Sequence, residues 1–169
     1  IEQKLPKPLI LENLIENGDF SDGTNGWKAS GDNVSDVQVD NNILSWQPTL
    51  ADRFGSSYST DRYIMSDTLD KFYLCFNGVN ISRVFYRTVT DYLIINVAGT
   101  VDGFNSVLFN SVDDYDRGEF RFYGKYIDKR SSISNVSLLN LTQIFGAGNE
   151  PTKEQMDEII NITGWFDNE

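Results

Sequence analysis

The chain has 169 residues, of which 40% are hydrophobic and 13% aromatic, enough for the core of one ordinary domain with a short appendage and too apolar for wholesale disorder. Fourteen basic residues against twenty-five acidic ones leave a formal charge of −11, which repels nucleic-acid phosphates and anionic lipid headgroups at long range and points to neutral or cationic partners. There is no histidine and a single cysteine, which excludes Ser-His-Asp and Cys-His catalysis, His-ligated zinc and an intrachain disulfide.

The chain opens Ile1-Glu2-Gln3-Lys4-Leu5-Pro6, without an initiator Met or a signal-type segment, and reads as an excised or processed boundary. No apolar stretch approaches membrane-spanning length. Residues 1–12, with Pro6 and Pro8, read as an extended lead-in.

From Leu14 to Leu141 short apolar or alternating runs are separated by Gly, Asn, Asp and Ser clusters, the pattern of an all-β sandwich or barrel. The spacing predicts strands over Asn42–Trp46, Lys71–Phe76, Arg83–Arg87, Tyr92–Val97, Ser106–Asn110, Glu119–Tyr123 and Ser132–Leu141, each rich in β-branched or aromatic residues. Cys75, inside Phe72-Tyr73-Leu74-Cys75-Phe76, is expected to be a small buried hydrophobe. Asn17-Gly18, Asp22-Gly23, Asn25-Gly26, Asn77-Gly78 and Asp102-Gly103 read as turns.

The tail changes period. Thr152 and Gln155 form a capping box, Met156, Ile159 and Ile160 fall on one helical face, and Gly164 supplies a stop, so a helix is expected over about Lys153 to Ile162, with an apolar stripe that must dock on something.

Two segments carry a family resemblance. Asn13-Leu14-Ile15-Glu16-Asn17-Gly18-Asp19-Phe20 followed by Gly26-Trp27, together with Ile133-Ser134-Asn135-Val136-Ser137-Leu138 near the end of the body, resembles the first and last segments of jelly-roll carbohydrate-binding modules of the family 4/9/22 type. Leu141-Thr142-Gln143-Ile144-Phe145-Gly146-Ala147-Gly148-Asn149-Glu150-Pro151-Thr152, with the helix and Gly164-Trp165-Phe166-Asp167, resembles a linker of phage tail and baseplate proteins. The resemblance implies an all-β jelly-roll β-sandwich with a short C-terminal α-helix, divided into a lead-in (1–12), a carbohydrate-binding-like module (13–141) and a linker with its helix (142–169). It matches the middle of the chain, about Val34 to Tyr126, in strand rhythm alone.

Sugars offer flat apolar faces rimmed by hydroxyls, so their sites pair aromatic platforms with planar or charged hydrogen-bonding groups. Trp46, Arg62, Tyr63, Tyr86, Arg121 and Tyr123 lie on or beside predicted strands, where the family's concave sheet binds ligand, and Tyr58 lies in the polar loop before them. Trp27 matches the family's buried tryptophan and is assigned to structure, as Trp165 is to packing of the helix. Family members often hold a structural calcium, but Ser21 and Ser134 stand where its carboxylates would be. The expectation is therefore no cofactor and no metal, with a calcium helped by Asp19 as the alternative. The acidic run Asp113-Asp114-Tyr115-Asp116 reads as a solvated turn, and the Asn-x-Ser/Thr sequences at Asn33, Asn80, Asn135, Asn140 and Asn161 as Asn-rich composition.

The resulting expectation is a non-catalytic module of a virion, extracellular and part of a phage tail or baseplate, that binds bacterial cell-surface polysaccharide and neighbouring tail subunits, with neither nucleic acid nor membrane insertion. The rival is a structural module that meets other subunits without touching sugar, through an apolar patch that includes the Met156–Ile160 stripe. A glycosidase, needing two facing carboxylates about 5–9.5 Å apart, is the third reading.

Overall fold

The computed structural model describes residues 10–30, 32–50, 57–60, 69–88, 92–93, 101–111 and 118–163, with residues 30, 57–60, 87–88, 92–93 and 163 through their backbone alone. Among them, ten strands form two five-stranded antiparallel sheets. Sheet A has the order β1 (Trp27–Ser30), β4 (Ser57–Thr60), β9 (Gly118–Gly124), β6 (Ile81–Thr88), β7 (Tyr92–Leu93). Sheet B has the order β2 (Val34–Asp40), β3 (Ile43–Pro48), β10 (Ser131–Asn140), β5 (Lys71–Val79), β8 (Gly103–Asn110).

The expected all-β sandwich is present, and six expected strands correspond to β3, β5, β6, β8, β9 and β10, while the seventh is described only as Tyr92–Leu93. Three strands escaped the sequence reading. β1 (WKAS) and β4 (SYST) are short and small-residue-rich, and β2 (VSDVQVD) is a largely exposed edge strand interrupted by a bulge between Ser35 and Gln38. Leu141 does not close the last strand but begins a short helix, α1 (Leu141–Phe145), capped by the Asn140 side chain, which accepts from the Gln143 N–H at 3.0 Å. The expected turn at Asn77-Gly78 is also corrected. Gly78 lies inside β5 and the chain reverses at Asn80 (φ 54°); a Cβ on Gly78 would come within 2.9 Å of the Phe76 ring, so glycine is there for close packing.

Alternation along the strands builds the main core between the sheets. Phe72, Leu74 and Phe76 of β5, Leu44 and Trp46 of β3, Val84 and Tyr86 of β6, and Phe120 and Phe122 of β9 all point into it. On β10, Ile133 and Val136 both reach this core although three residues apart, because a bulge between Ser134 and Ser137, with Asn135 at φ 50°, inserts one extra residue. The Asn13–Phe20 segment straps itself onto that bulge. Asn13 Nδ2 donates to Val136 O (3.0 Å), Asn13 Oδ1 accepts from Leu138 N (2.9 Å) and Val136 N donates to Gly18 O (2.8 Å). A Cβ on Gly18 would sit 2.0 Å from the Val136 oxygen, so the strap requires glycine. Trp27 is buried as expected, its indole N–H donating to Asn17 O at 3.0 Å and its ring packed on Phe20 at 4.9 Å.

A second core lies on the other face of sheet B. There Tyr73, Cys75 and Leu139 meet Leu141, Met156 and Ile160, the last two carried by helix α2 (Lys153–Thr163). The capping box forms as expected: Gln155 N donates to Thr152 Oγ1 (3.2 Å) and Thr152 N donates to Gln155 Oε1 (2.9 Å). The connector before it is folded around Glu150, whose carboxylate accepts from Thr142 Oγ1 and from Gly148 N, both at 2.8 Å, while Gly146 and Gly148 take positive φ. Cys75 is buried, and burial pushes its thiol well above the ordinary range, so it is a packing residue. Gly164 and Trp165 lie outside the described residues, as does the Asp113–Asp116 run.

Asp157 pins α2 to the sheet. Its Oδ1 accepts from Tyr73 Oη and Ser106 Oγ, both at 2.6 Å, and its Oδ2 accepts from Lys153 Nζ at 2.8 Å. Burial alone would raise its pKa, but these three donors together hold it below the ordinary 3.8. A depressed folded-state pKa means that the carboxylate's contribution is full above 3.8 and is lost as pH falls through the lower folded value. Asp157→Ala, which orphans two hydroxyls, is expected to cost about 1–3 kcal/mol in denaturant unfolding at neutral pH. The difference from the parent protein should shrink as the pH is taken below 3.8 and through the lower folded-state value, where the parent carboxyl also takes up a proton.

Candidate functional site

One face of sheet B meets the main core, and α2 packs on its other face over β10, β5 and β8. The outer face of sheet A carries a different chemistry. Because Phe120 and Phe122 point inward on β9, Glu119, Arg121 and Tyr123 point outward, and on β6 the inward Val84 and Tyr86 leave Arg83 and Phe85 outward. Register brings these together: Arg83 is paired with Tyr123 and Phe85 with Arg121 across the β6–β9 pair. Lys28 joins them from β1, where the neighbouring Trp27 points inward.

Two clusters result. Phe85 and Tyr123 form an edge-to-face pair with centroids 4.9 Å apart, and the Arg83 guanidinium lies over both rings, at 5.1 and 5.3 Å. Beside them Arg121 holds Glu119 through Nε (2.7 Å) and Nη2 (2.5 Å), both to Oε1, while Lys28 Nζ stands 3.7 Å from Glu119 Oε2. The Arg121 side chain is 14% exposed and that of Glu119 9%, whereas Lys28 is 46% exposed. Burial works against the Arg121 charge, but Glu119, and more weakly Tyr123, outweigh it and hold the guanidinium protonated above its ordinary range. Among the described residues, Lys28, Arg83 and Arg121 lie on this face with Glu119.

The sequence-predicted site residues divide. Arg121 and Tyr123 do share this outer face, although Tyr123 is buried at 1% exposure, so its ring is no open platform. Trp46 is corrected: it points into the main core with no exposed surface, because it alternates in step with the core residue Leu44. Tyr86 is corrected for the same reason. It alternates with Phe85, packs on Phe120 at 4.9 Å inside the core, and burial pushes its phenol up to about 12. Tyr58 is described by its backbone alone and lies in β4, paired with Phe122, not in a loop. Arg62 and Tyr63 lie outside the described residues. Lys28, Arg83, Phe85 and Glu119 were missed, yet the signal was present: once Val84 is core, period-two alternation sends Arg83 and Phe85 outward and Tyr86 inward.

The loop where the family's calcium would lie offers a different donor chemistry. Asp19 Oδ1 accepts from Ser21 N (3.2 Å) and Ser21 Oγ (3.0 Å), and Asp22 Oδ2 accepts from Asn25 Nδ2 (2.7 Å), so neutral groups take the carboxylates that a calcium cage would need. Among the described residues no three Asp, Glu, Cys or His side chains gather in a metal-binding arrangement.

No protein-family model and no curated protein matches the chain. Solved structures share its fold at low sequence identity. The second N-terminal cellulose-binding domain from Cellulomonas fimi β-1,4-glucanase C matches at 15% identity over 77% of this chain and 95% of that one, with a TM-score of 0.57. A family 4 carbohydrate-binding module matches at 13% identity over 74% and 98% of the two chains, with a TM-score of 0.52. The enzymatically active domain of tailspike protein 4 from bacteriophage CBA120 matches at 17% identity over 75% of this chain, with a TM-score of 0.56; the present chain spans only 21% of that one. The architecture is thus the jelly-roll sandwich of carbohydrate-binding modules.

Trp46→Ala separates the two roles assigned to that residue. As a fully buried core side chain it should cost about 3–5 kcal/mol in denaturant unfolding, whereas a ligand platform would leave stability nearly unchanged.

Proposed function

We propose that the chain is a non-catalytic carbohydrate-recognition module that attaches a larger assembly, a phage tail or baseplate, to bacterial cell-surface polysaccharide. The observation that carries this reading is the outer face of sheet A, where Lys28, Arg83, Arg121 and Glu119 present clustered hydrogen-bonding groups on a sheet opposite the helix-covered one. The fold shared with cellulose-binding and family 4 modules supports sugar as the ligand. The Phe145-to-Thr152 linker and the fold shared with a phage tailspike support the virion setting. Modest affinity at each site suffices when many copies act together.

The structural alternative draws less support. Its apolar stripe is turned inward: Met156 is 0% and Ile160 2% exposed, both against the molecule's own sheet. Hydrolysis draws less still, because Glu119 is the one carboxylate among the described strands of sheet A and is tied to Arg121, whereas glycosidases pair two carboxyls. Recognition is assigned without a metal, given the Asp19 and Asp22 contacts above.

A bacterial surface-glycan array probed with the folded chain should show binding, and incubation should release no new reducing ends. Absence of binding across the array, or accumulation of hydrolysed product, would contradict the reading. Treatment with EDTA should leave the Tm unchanged; a fall of several degrees would restore the calcium.

A further inference from the structure

Resting on the carbohydrate-recognition reading, we infer that the β9–β10 loop carries a further contact for the polysaccharide, with Tyr126 as the platform on which a pyranose ring stacks and Lys125 and Lys129 as donors to its hydroxyls. Sugar sites pair an open aromatic face with hydrogen-bonding groups at its rim. The outer face of sheet A supplies the second without the first, since its rings are closed: Phe85 is 6% and Tyr123 1% exposed. Tyr126, at 37%, is the most exposed aromatic side chain among the described residues.

The loop is built to hold that ring in place. Lys125 N donates to Asn80 O (2.8 Å) and Asn80 Nδ2 donates to Arg130 O (2.9 Å), which fixes both ends on the β5–β6 turn. Between them Gln47 Nε2, from β3, donates to Ile127 O (2.6 Å). Asn80 is itself held by Asp102, whose Oδ1 accepts from the Asn80 N–H at 2.9 Å. The exposed residues Lys125 to Lys129 are thus carried on a backbone clamped at both ends and in the middle, so little chain freedom is lost when a ligand settles on Tyr126.

The side chains bring the two required chemistries together. The Lys125 and Lys129 ammonium groups stand 5.2 and 4.9 Å from the centre of the Tyr126 ring. Exposed ammoniums at such distances are weakly held and can turn to the hydroxyls of a sugar laid on the ring. With Asp128 in the same loop, what is on offer is an apolar ring face with donors beside it, suited to a hydroxylated pyranose and not to an anion as such. Position favours a ligand shared with sheet A. β9 runs into this loop directly from Glu119, Arg121 and Tyr123, and Arg121 to Tyr126 is at most about 18 Å of extended chain. One polysaccharide strand laid along β9 reaches both, which joins two modest contacts within a single ligand.

The probe is the bacterial surface-glycan array, read over a dilution series of the full chain, of Tyr126→Ala, of Tyr126→Phe and of Lys125→Ala combined with Lys129→Ala. Tyr126→Ala is expected to weaken binding about tenfold at every glycan the parent holds, the loss of one stacked ring. Tyr126→Phe should stay within about twofold of the parent because the ring face is kept, and the double lysine variant should fall about threefold or more. Ile43→Ala, which removes an exposed apolar side chain from sheet B instead, should change nothing. These side chains are exposed, so their replacement leaves the fold intact, which circular dichroism and the Tm would verify. Parent-level binding by Tyr126→Ala, or a Tyr126→Phe as weak as Tyr126→Ala, would overturn the inference while leaving carbohydrate recognition standing. Binding of the parent to no glycan would overturn both. Sedimentation separates a subunit contact from a sugar contact: a parent that self-associates, with a Tyr126→Ala chain that does not, would overturn the inference as well.

Discussion

The half of sheet B formed by β10, β5 and β8 sends side chains into a core on each of its faces, and the placement of the C-terminal segment follows from that constraint. β5 shows it most directly, since consecutive residues from Phe72 to Phe76 are all buried and belong alternately to the core between the sheets and to the core under α2. A strand apolar on both sides is stable only if both sides are covered. The helix stripe of Met156 and Ile160 provides the second cover, and Asp157 fixes its position by accepting from Tyr73 and Ser106 of the sheet beneath. The C-terminal segment is thus a third layer, and the connector ahead of it, organised by Glu150, is the hinge that turns the chain back onto the sandwich.

With β10, β5 and β8 covered by α2, the outward chemistry of the two sheets differs. The face under α2 is sealed by apolar packing around one carboxylate that is held ionised by three donors. The outer face of sheet A instead bears guanidiniums, each fixed by a neighbour that costs it little freedom: aromatic rings for Arg83, a carboxylate for Arg121.

Much of this was legible before any coordinates. The all-β body, six of the strands, the buried roles of Trp27 and Cys75 and the capping box at Thr152 and Gln155 all follow from alternation, turn residues and helix-end chemistry. The candidate site was legible only as strand geometry: Arg121 and Tyr123 share an outward strand face, but Trp46 and Tyr86 were chosen for their residue type, when their step relative to Leu44 and Val84 already sent them inward. β1 and β4 carry no hydrophobic run, since one is anchored by the single ring of Trp27 and the other is serine-rich, so strand propensity could not reveal them. The bulge at Asn135 was equally hidden, because only register with β5 exposes the extra residue.

Because α2 covers the outward side of β10, β5 and β8, we propose that recognition falls on the outer face of sheet A. Mapping backbone amide chemical shifts during titration with a saccharide that the glycan array identifies tests it most directly. Shifts concentrated on β6, β9 and β1, around Arg83, Arg121 and Lys28, with β5 and α2 silent, are the predicted result. Shifts centred on β5, β8 or α2 would contradict the account.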